Sequence, residues 1–162
     1  MLKKVISGGQ TGVDQAALRA AKRCGFETGG YIPKGFKTLD GPNPSLGKKF
    51  GLIETATYDY ALRTSYNVKD SDCTLRIASN WHTPGERCTL NAIRQYGQAH
   101  FDLSVIDLRT YSKAADIIIW LRDHEILNVA GNSEKSCPGI GEKAEEFLTI
   151  LFEGIKQLVC RR

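Results

Sequence analysis

The chain has 162 residues, 41% of them hydrophobic and 25% charged, with a formal net charge of +4. That length suits one domain with a real core and is short for two, and the composition is that of an ordinary globular protein. The basic residues are scattered, which speaks against a nucleic-acid stripe, and the longest compact apolar run, "IIIWL" at 117–121, is far below the roughly 20 residues of a membrane span.

"MLKKVI" supplies a first buried strand at 5–6 and runs straight into a glycine turn, leaving no room for the apolar core of a signal peptide. The turn opens "SGGQTGVDQAAL" at 7–18, and Val13, Ala16, Ala17, Ala20 and Ala21 then recur at helical spacing through 13–24, up to Gly25 as a C-terminal glycine. "GGYIPKG" at 29–35 reads as a short strand entering a turn. Residues 37–51 hold both Pro42 and Pro44 and are expected to form a long, functional surface loop. A helix follows over 58–69 and a strand over 73–78, with Asp72 as a strand-entry turn residue. The next helix, 83–98, starts at "TPGE", a capping box with Thr83 as N-cap, Pro84 in the first turn and Glu86 reaching back. A strand at 103–107, a helix at 112–124 and a strand at 126–130 lead to a closing helix over 138–159. That helix has Pro138 at its first position and Phe147, Leu148, Leu151, Phe152, Ile155 and Leu158 on one face. The alternation predicts α/β architecture: a single Rossmann-like ligand-binding domain over 1–162, with a mostly parallel sheet and helices on both faces.

In such a sheet the loops after the strands emerge at one edge, where ligands bind. Three of them bear glycine and lead into helix starts: "SGGQTG", "SNWHTPGE" and "AGNSEKSCPGIG". Free N–H groups and the helix dipole favour anions there, and the mild positive charge favours a small polyanion. Gly8, Gly9, Gln10, Thr11 and Gly12 are candidates for the first loop, Gly85 and Thr89 for the second loop and the helix it opens, and Gly131, Asn132, Ser133, Glu134, Pro138 and Gly139 for the third. Glu134 either orients its own loop or meets a ligand amine. Gln10 stands where a dinucleotide fingerprint needs glycine, and no lysine precedes Ser or Thr at the helix start, so NAD binding and P-loop hydrolysis are poorly supported. Asp14 has two readings: it complements its own helix dipole, or it accepts hydrogen bonds from a ligand. Arg63 and Asn67 share a helix face. Arg63 either grips phosphate bidentately or pairs with Asp59 at i−4. Lys34 is a point charge aimed at the crevice or a plain surface lysine.

Five cysteines, Cys24, Cys73, Cys88, Cys137 and Cys160, are odd in number and form no C-x-x-C pair, which predicts reduced thiols. Cys88 and Cys137 lie near helix starts; buried structural roles are expected for them ahead of ligand contact. His82, His100 and His124 lack partners at ligand spacing, so no protein-built metal site is expected.

Together "SGGQTGVDQAAL", "GGYIPKG", "DGP", "YALRTSYNVKDSD" and "LNVAGNSEKSCPGI" closely resemble one family, over nearly the whole chain. It is the molybdenum cofactor carrier proteins, a circularly permuted YpsA-like branch of the Rossmann-like superfamily that also holds the LOG phosphoribohydrolases and DprA-like proteins. The resemblance implies a cytoplasmic protein, homo-oligomeric as a dimer or tetramer. It would bind the molybdenum cofactor (molybdopterin with its metal) without turning it over, shelter it from oxidation and deliver it to molybdenum-dependent acceptor enzymes. It also implies ligand-binding roles for Arg63, Thr64 and Asn67. The LOG pattern P-G-G-x-G-T-x-x-E aligns with "PGERCTLNA" at 84–92: Pro84, Gly85 and Thr89 match, Glu86 and Cys88 replace glycines, and Ala92 replaces the catalytic glutamate. A methyl group is no acid or base, so catalysis is not expected unless Glu86 is recruited. The rival readings are a nucleotide-binding sensor and a LOG-like phosphoribohydrolase.

Overall fold

The strand–helix alternation produces the elements in this chain order: β1 Lys4–Ile6, α1 Val13–Arg23, β2 Glu27–Ile32, β3 Lys37–Thr38, β4 Gly41–Pro42, α2 Ser45–Phe50, β5 Leu52–Glu54, α3 Tyr60–Lys69, β6 Cys73–Ala78, α4 Pro84–Tyr96, β7 Ala99–Ser104, α5 Tyr111–Trp120, β8 Ile126–Gly131 and α6 Ile140–Cys160. The computed structural model describes residues 1–160, without the side chains of Tyr111 and Cys160; the thiol expected of Cys160 therefore lies outside the described residues.

Six strands form one sheet in the order β5-β2-β1-β8-β6-β7, and every pairing is parallel. Val5 is opposite Thr28 on one side and Leu127 on the other. The chain leaves β1 in one direction, crosses to β6 and β7 on the far side, and returns to insert β8 between β1 and β6. This is the strand-order reversal at which open α/β sheets leave a crevice beyond their carboxyl ends. The loops after β1, β6 and β8 therefore meet at one place.

Alternate residues face opposite sides of a strand. Cys73, Leu75 and Ile77 of β6 join Val5, Leu127 and Val129 in the main core, under α1, α5 and α6. Thr74 and Arg76 face the other side, where α3 and α4 pack together and Val68, Ala92 and Ile93 form a small cluster. The architecture is Rossmann-like α/β with helices on both faces. No helix among the described residues is long and apolar enough to cross a membrane.

Several sequence expectations need correction. Residues 37–51 are not a loop. They form the antiparallel β3–β4 ribbon and the short helix α2, whose Leu46 and Phe50 are buried with Leu18, Ile32 and Leu52. The strand expected at 103–107 runs instead from Ala99 to Ser104, and a 3-10 turn occupies Val105–Arg109. α6 starts at Ile140, so Pro138 is not its first residue, and Leu158 is 45% exposed rather than part of the apolar face. Asp72 does serve strand entry: its Oδ2 accepts from the N–H groups of Glu125 and Ile126.

Candidate functional site

The turn after β1 is filled by the protein's own anion. Asp14, on the first turn of α1, is only 3% exposed. Its Oδ2 accepts from the Gln10 N–H at 3.2 Å and from Arg63 Nη1 at 3.2 Å. Burial pushes this carboxyl above its ordinary range, and the Arg63 guanidinium is the chief opposing influence. The glycines here make room for protein. A Cβ on Gly8 would occupy the Arg63 guanidinium; one on Gly12, whose φ is +92°, would lie 2.5 Å from the Asn132 carbonyl oxygen. Arg63 thus reaches across the fold to Asp14, not along its helix to Asp59, whose Oδ1 caps α3 by accepting from the Ala61 N–H.

A second set of contacts joins the loops after β6 and β8. Asn132 is 2% exposed. Its Oδ1 accepts from the N–H groups of Ser79 and Asn80 at 3.0 Å each, and its Nδ2 donates to Asn80 O at 3.1 Å and Glu86 Oε1 at 3.2 Å. Glu86 is therefore not half of a capping box. Thr83 Oγ1 does accept from the Glu86 N–H, but the Glu86 side chain turns inward toward Arg76 and Asn132. Burial raises its carboxyl to about 7, with Arg76 the main influence in the other direction.

In the third loop, Glu134 orients its own segment, its two carboxylate oxygens accepting from Gly139 N–H and Gly141 N–H at 2.7 Å each. The α6 start thus has an internal carboxylate, as the α1 start has Asp14. The α4 start differs: Thr83, Pro84 and Gly85 border open space, and a Cβ on Gly85 would meet nothing nearer than Thr83 Oγ1 at 4.0 Å.

That open space is a cavity of about 590 Å³ at the switch point, within the range of small-ligand sites. Of the residues proposed from sequence, Gln10, Asp14, Arg63, Thr64, Gly85, Thr89, Gly131, Asn132 and Ser133 line it. Gly8, Gly9, Thr11, Gly12, Lys34, Asn67, Glu134, Pro138 and Gly139 do not. Asn67 instead holds Tyr31 of β2 through its N–H at 2.8 Å and its carbonyl at 3.0 Å, and Lys34 lies over the Tyr58 ring. Sequence reasoning missed Leu39, Tyr60, Ala61, Lys135 and Ser136. Tyr60, at i−3 from Arg63 on the same helix face, could have been found from spacing. Leu39 sits at the tip of the β3–β4 ribbon, its N–H bonded to Gln10 Oε1 at 2.9 Å, and no local signal announces it. Cys88 is half-buried on the cavity wall rather than structural in the core, and burial raises its thiol. Arg63 Nε and the Tyr60 hydroxyl, both on cavity-lining residues, are buried with no partner among the described residues; orphaned groups of this kind want an explanation.

The comparisons agree with this architecture. Residues 5–152 match the model of the circularly permutated YpsA SLOG family. A crystal structure of a protein named "Putative molybdenum carrier protein", from Syntrophus aciditrophicus SB, superposes with a TM-score of 0.85 at 32% identity, covering 93% of this chain and 94% of that one. No curated protein matches. The chain belongs to the circularly permutated YpsA SLOG family.

Proposed function

We propose that the protein binds the molybdenum cofactor in the switch-point cavity, shelters it and passes it to molybdenum-dependent enzymes without catalysing a reaction. The observation that carries this reading is a set of donors placed in an otherwise largely apolar wall. Arg63, Lys135, Ser133, Ser136, Thr64, Thr89 and the Gln10 amide present donors or hydroxyls, and the lining carboxylate, Asp14, is already held by Arg63 and the Gln10 N–H. Donors of this kind suit an acceptor-rich anion, and the apolar remainder of the wall suits a flat ring system. The structural neighbour's name supports the choice of cofactor.

In this reading the cofactor's phosphate sits at the α4 start, by the Gly85 N–H, with Lys135 and Ser136 across from it, and the pterin lies toward Tyr60 and Arg63. The non-catalytic half rests on two placements. Ala92 packs with Val68 and Ile93 between α3 and α4, away from the cavity, and Glu86, 2% exposed, is not on the wall. Neither supplies an acid or base within reach of a ligand.

The test is mass spectrometry and metal analysis of protein purified from cells that make the cofactor. A pterin and about one molybdenum per chain are expected, as for single-site occupancy. A nucleotide in their place would overturn the choice of ligand, and release of free base from added nucleoside monophosphates would overturn the non-catalytic half.

A further inference from the structure

Asn132 lines the cavity, and its orientation is fixed by Ser79, Asn80 and Glu86, none of which does. A side-chain amide fits a site either way round unless donors and acceptors distinguish its ends. Here the Ser79 and Asn80 N–H groups require an acceptor at one end, and Glu86 Oε1 accepts from the other. Glu86 is itself held from beneath. Arg76 Nη1 donates to the Glu86 carbonyl at 3.3 Å and lies 3.7 Å from Glu86 Oε2. Asp102 Oδ1 in turn accepts from Arg76 Nε at 2.8 Å. Glu86 Oε2 is buried and accepts no hydrogen bond among the described residues.

We propose that Glu86 is a positioning residue of the cavity, bracing from α4 the Asn132 amide that joins the loops after β6 and β8, and that an anion is bound there together with a proton taken from solvent onto Glu86 Oε2. The charged groups facing Glu86 are Arg76 from β6, Asp102 from β7 and Asp14 from α1; the loop after β8 contributes only the neutral Asn132 amide. Arg76 is shared between Glu86 and Asp102, and Asp14 has its own partner in Arg63, so two cations stand against three carboxyls. A further negative charge in the cavity shifts the balance toward the protonated carboxyl. Oε2 is the atom to receive the proton, because Oε1 can then continue to accept from Asn132. Burial already raises this carboxyl to about 7, so the uptake falls within an accessible range.

The inference rests on reading the cavity as an anion site, but not on the anion being the molybdenum cofactor. Sulfate is the probe, since it stays doubly charged across the range. Calorimetric titration in buffer pairs of different ionisation heat, MES and imidazole below pH 7 and HEPES and Tris above it, counts protons; wild type and Glu86→Gln are compared from pH 6 to 8.5. Wild-type affinity should tighten as pH falls from 8.5, by at most about tenfold per pH unit. The uptake should decline from its high-pH maximum of at most about one proton per sulfate to no more than about half a proton near pH 7, where the free carboxyl is already half protonated. Glu86→Gln keeps the acceptor facing Asn132 and mimics the protonated form, so it should bind at every pH as wild type does at pH 6. An equal pH slope in the variant overturns the inference. So does zero proton uptake by wild type at pH 8, a result that needs no folded variant. Wild type that binds no sulfate at any pH overturns the anion site and this inference together.

Discussion

Asp14 and Arg63 are 49 positions apart in sequence and 3.2 Å apart in the fold. Each residue is visible in the sequence, Asp14 in a phosphate-style turn and Arg63 on a helix face, but the pair is not, because only the packing of α3 over the first loop brings them together. The same holds for Gly8, whose missing side chain leaves space for the Arg63 guanidinium. Arg63→Met should therefore cost stability as well as ligand affinity. Removing one partner of a buried pair leaves the other charge uncompensated, at a cost of about 3–5 kcal/mol. Urea denaturation at pH 8 should register that loss, and the double variant with Asp14→Asn should recover most of it. A loss under about 1 kcal/mol, the value of an exposed pair, would contradict the pairing. Equilibrium titration with the cofactor should show a separate affinity loss of about 1.5–3 kcal/mol, the range for hydrogen bonds to charged groups.

At the scale of elements, the long amphipathic helices α1 and α4 and the buried strand β6 are legible because periodicity accumulates over many residues. α2 is not: it has six residues, Pro44 directly before it, and only the i, i+4 pair Leu46 and Phe50 to reveal it. Its burial against Leu18, Ile32 and Leu52 makes it a small second core under the edge of the sheet. Phe50→Ala should destabilise the fold by about 3–5 kcal/mol, as for other large-to-small core changes, measured by denaturant titration. An effect below about 1 kcal/mol would return this segment to the status of a surface loop. The bounds of β7 are hidden for a different reason. Its residues do alternate, with Phe101 and Leu103 toward the core and His100 and Asp102 outward, but the apolar "VI" that follows Ser104 carries the apparent strand past its real end into the 3-10 turn.

At the scale of the molecule, the parallel sheet and the meeting of three loops follow from strand–helix alternation, whereas the insertion of β8 between β1 and β6 is a tertiary fact. That insertion creates the switch-point cavity and places two carboxyls, Asp14 and Glu86, in low-dielectric surroundings beside it. Glu86 rises from an ordinary 4.5 to about 7. A carboxyl held higher in the folded state binds its proton more tightly there. Its contribution to stability is full below pH 4.5 and is lost as pH rises through about 7. That shift corresponds to roughly 3 kcal/mol, and Asp14, raised by burial as well, acts in the same direction. The protein should therefore be less stable to urea at pH 8 than at pH 5.5, and Glu86→Gln should remove most of the difference. An undiminished difference in that variant would assign the effect elsewhere.

If the cavity between the first loop, the α4 start and residues 133–136 holds the ligand, a crystal structure of the protein with the molybdenum cofactor bound will show it there. The cofactor's phosphate should lie within hydrogen-bond reach of the Gly85 N–H and Lys135, with its pterin beside Tyr60 and Arg63. Cofactor density lying wholly outside this cavity, for example in the groove between Ile106 and Glu146, would contradict it.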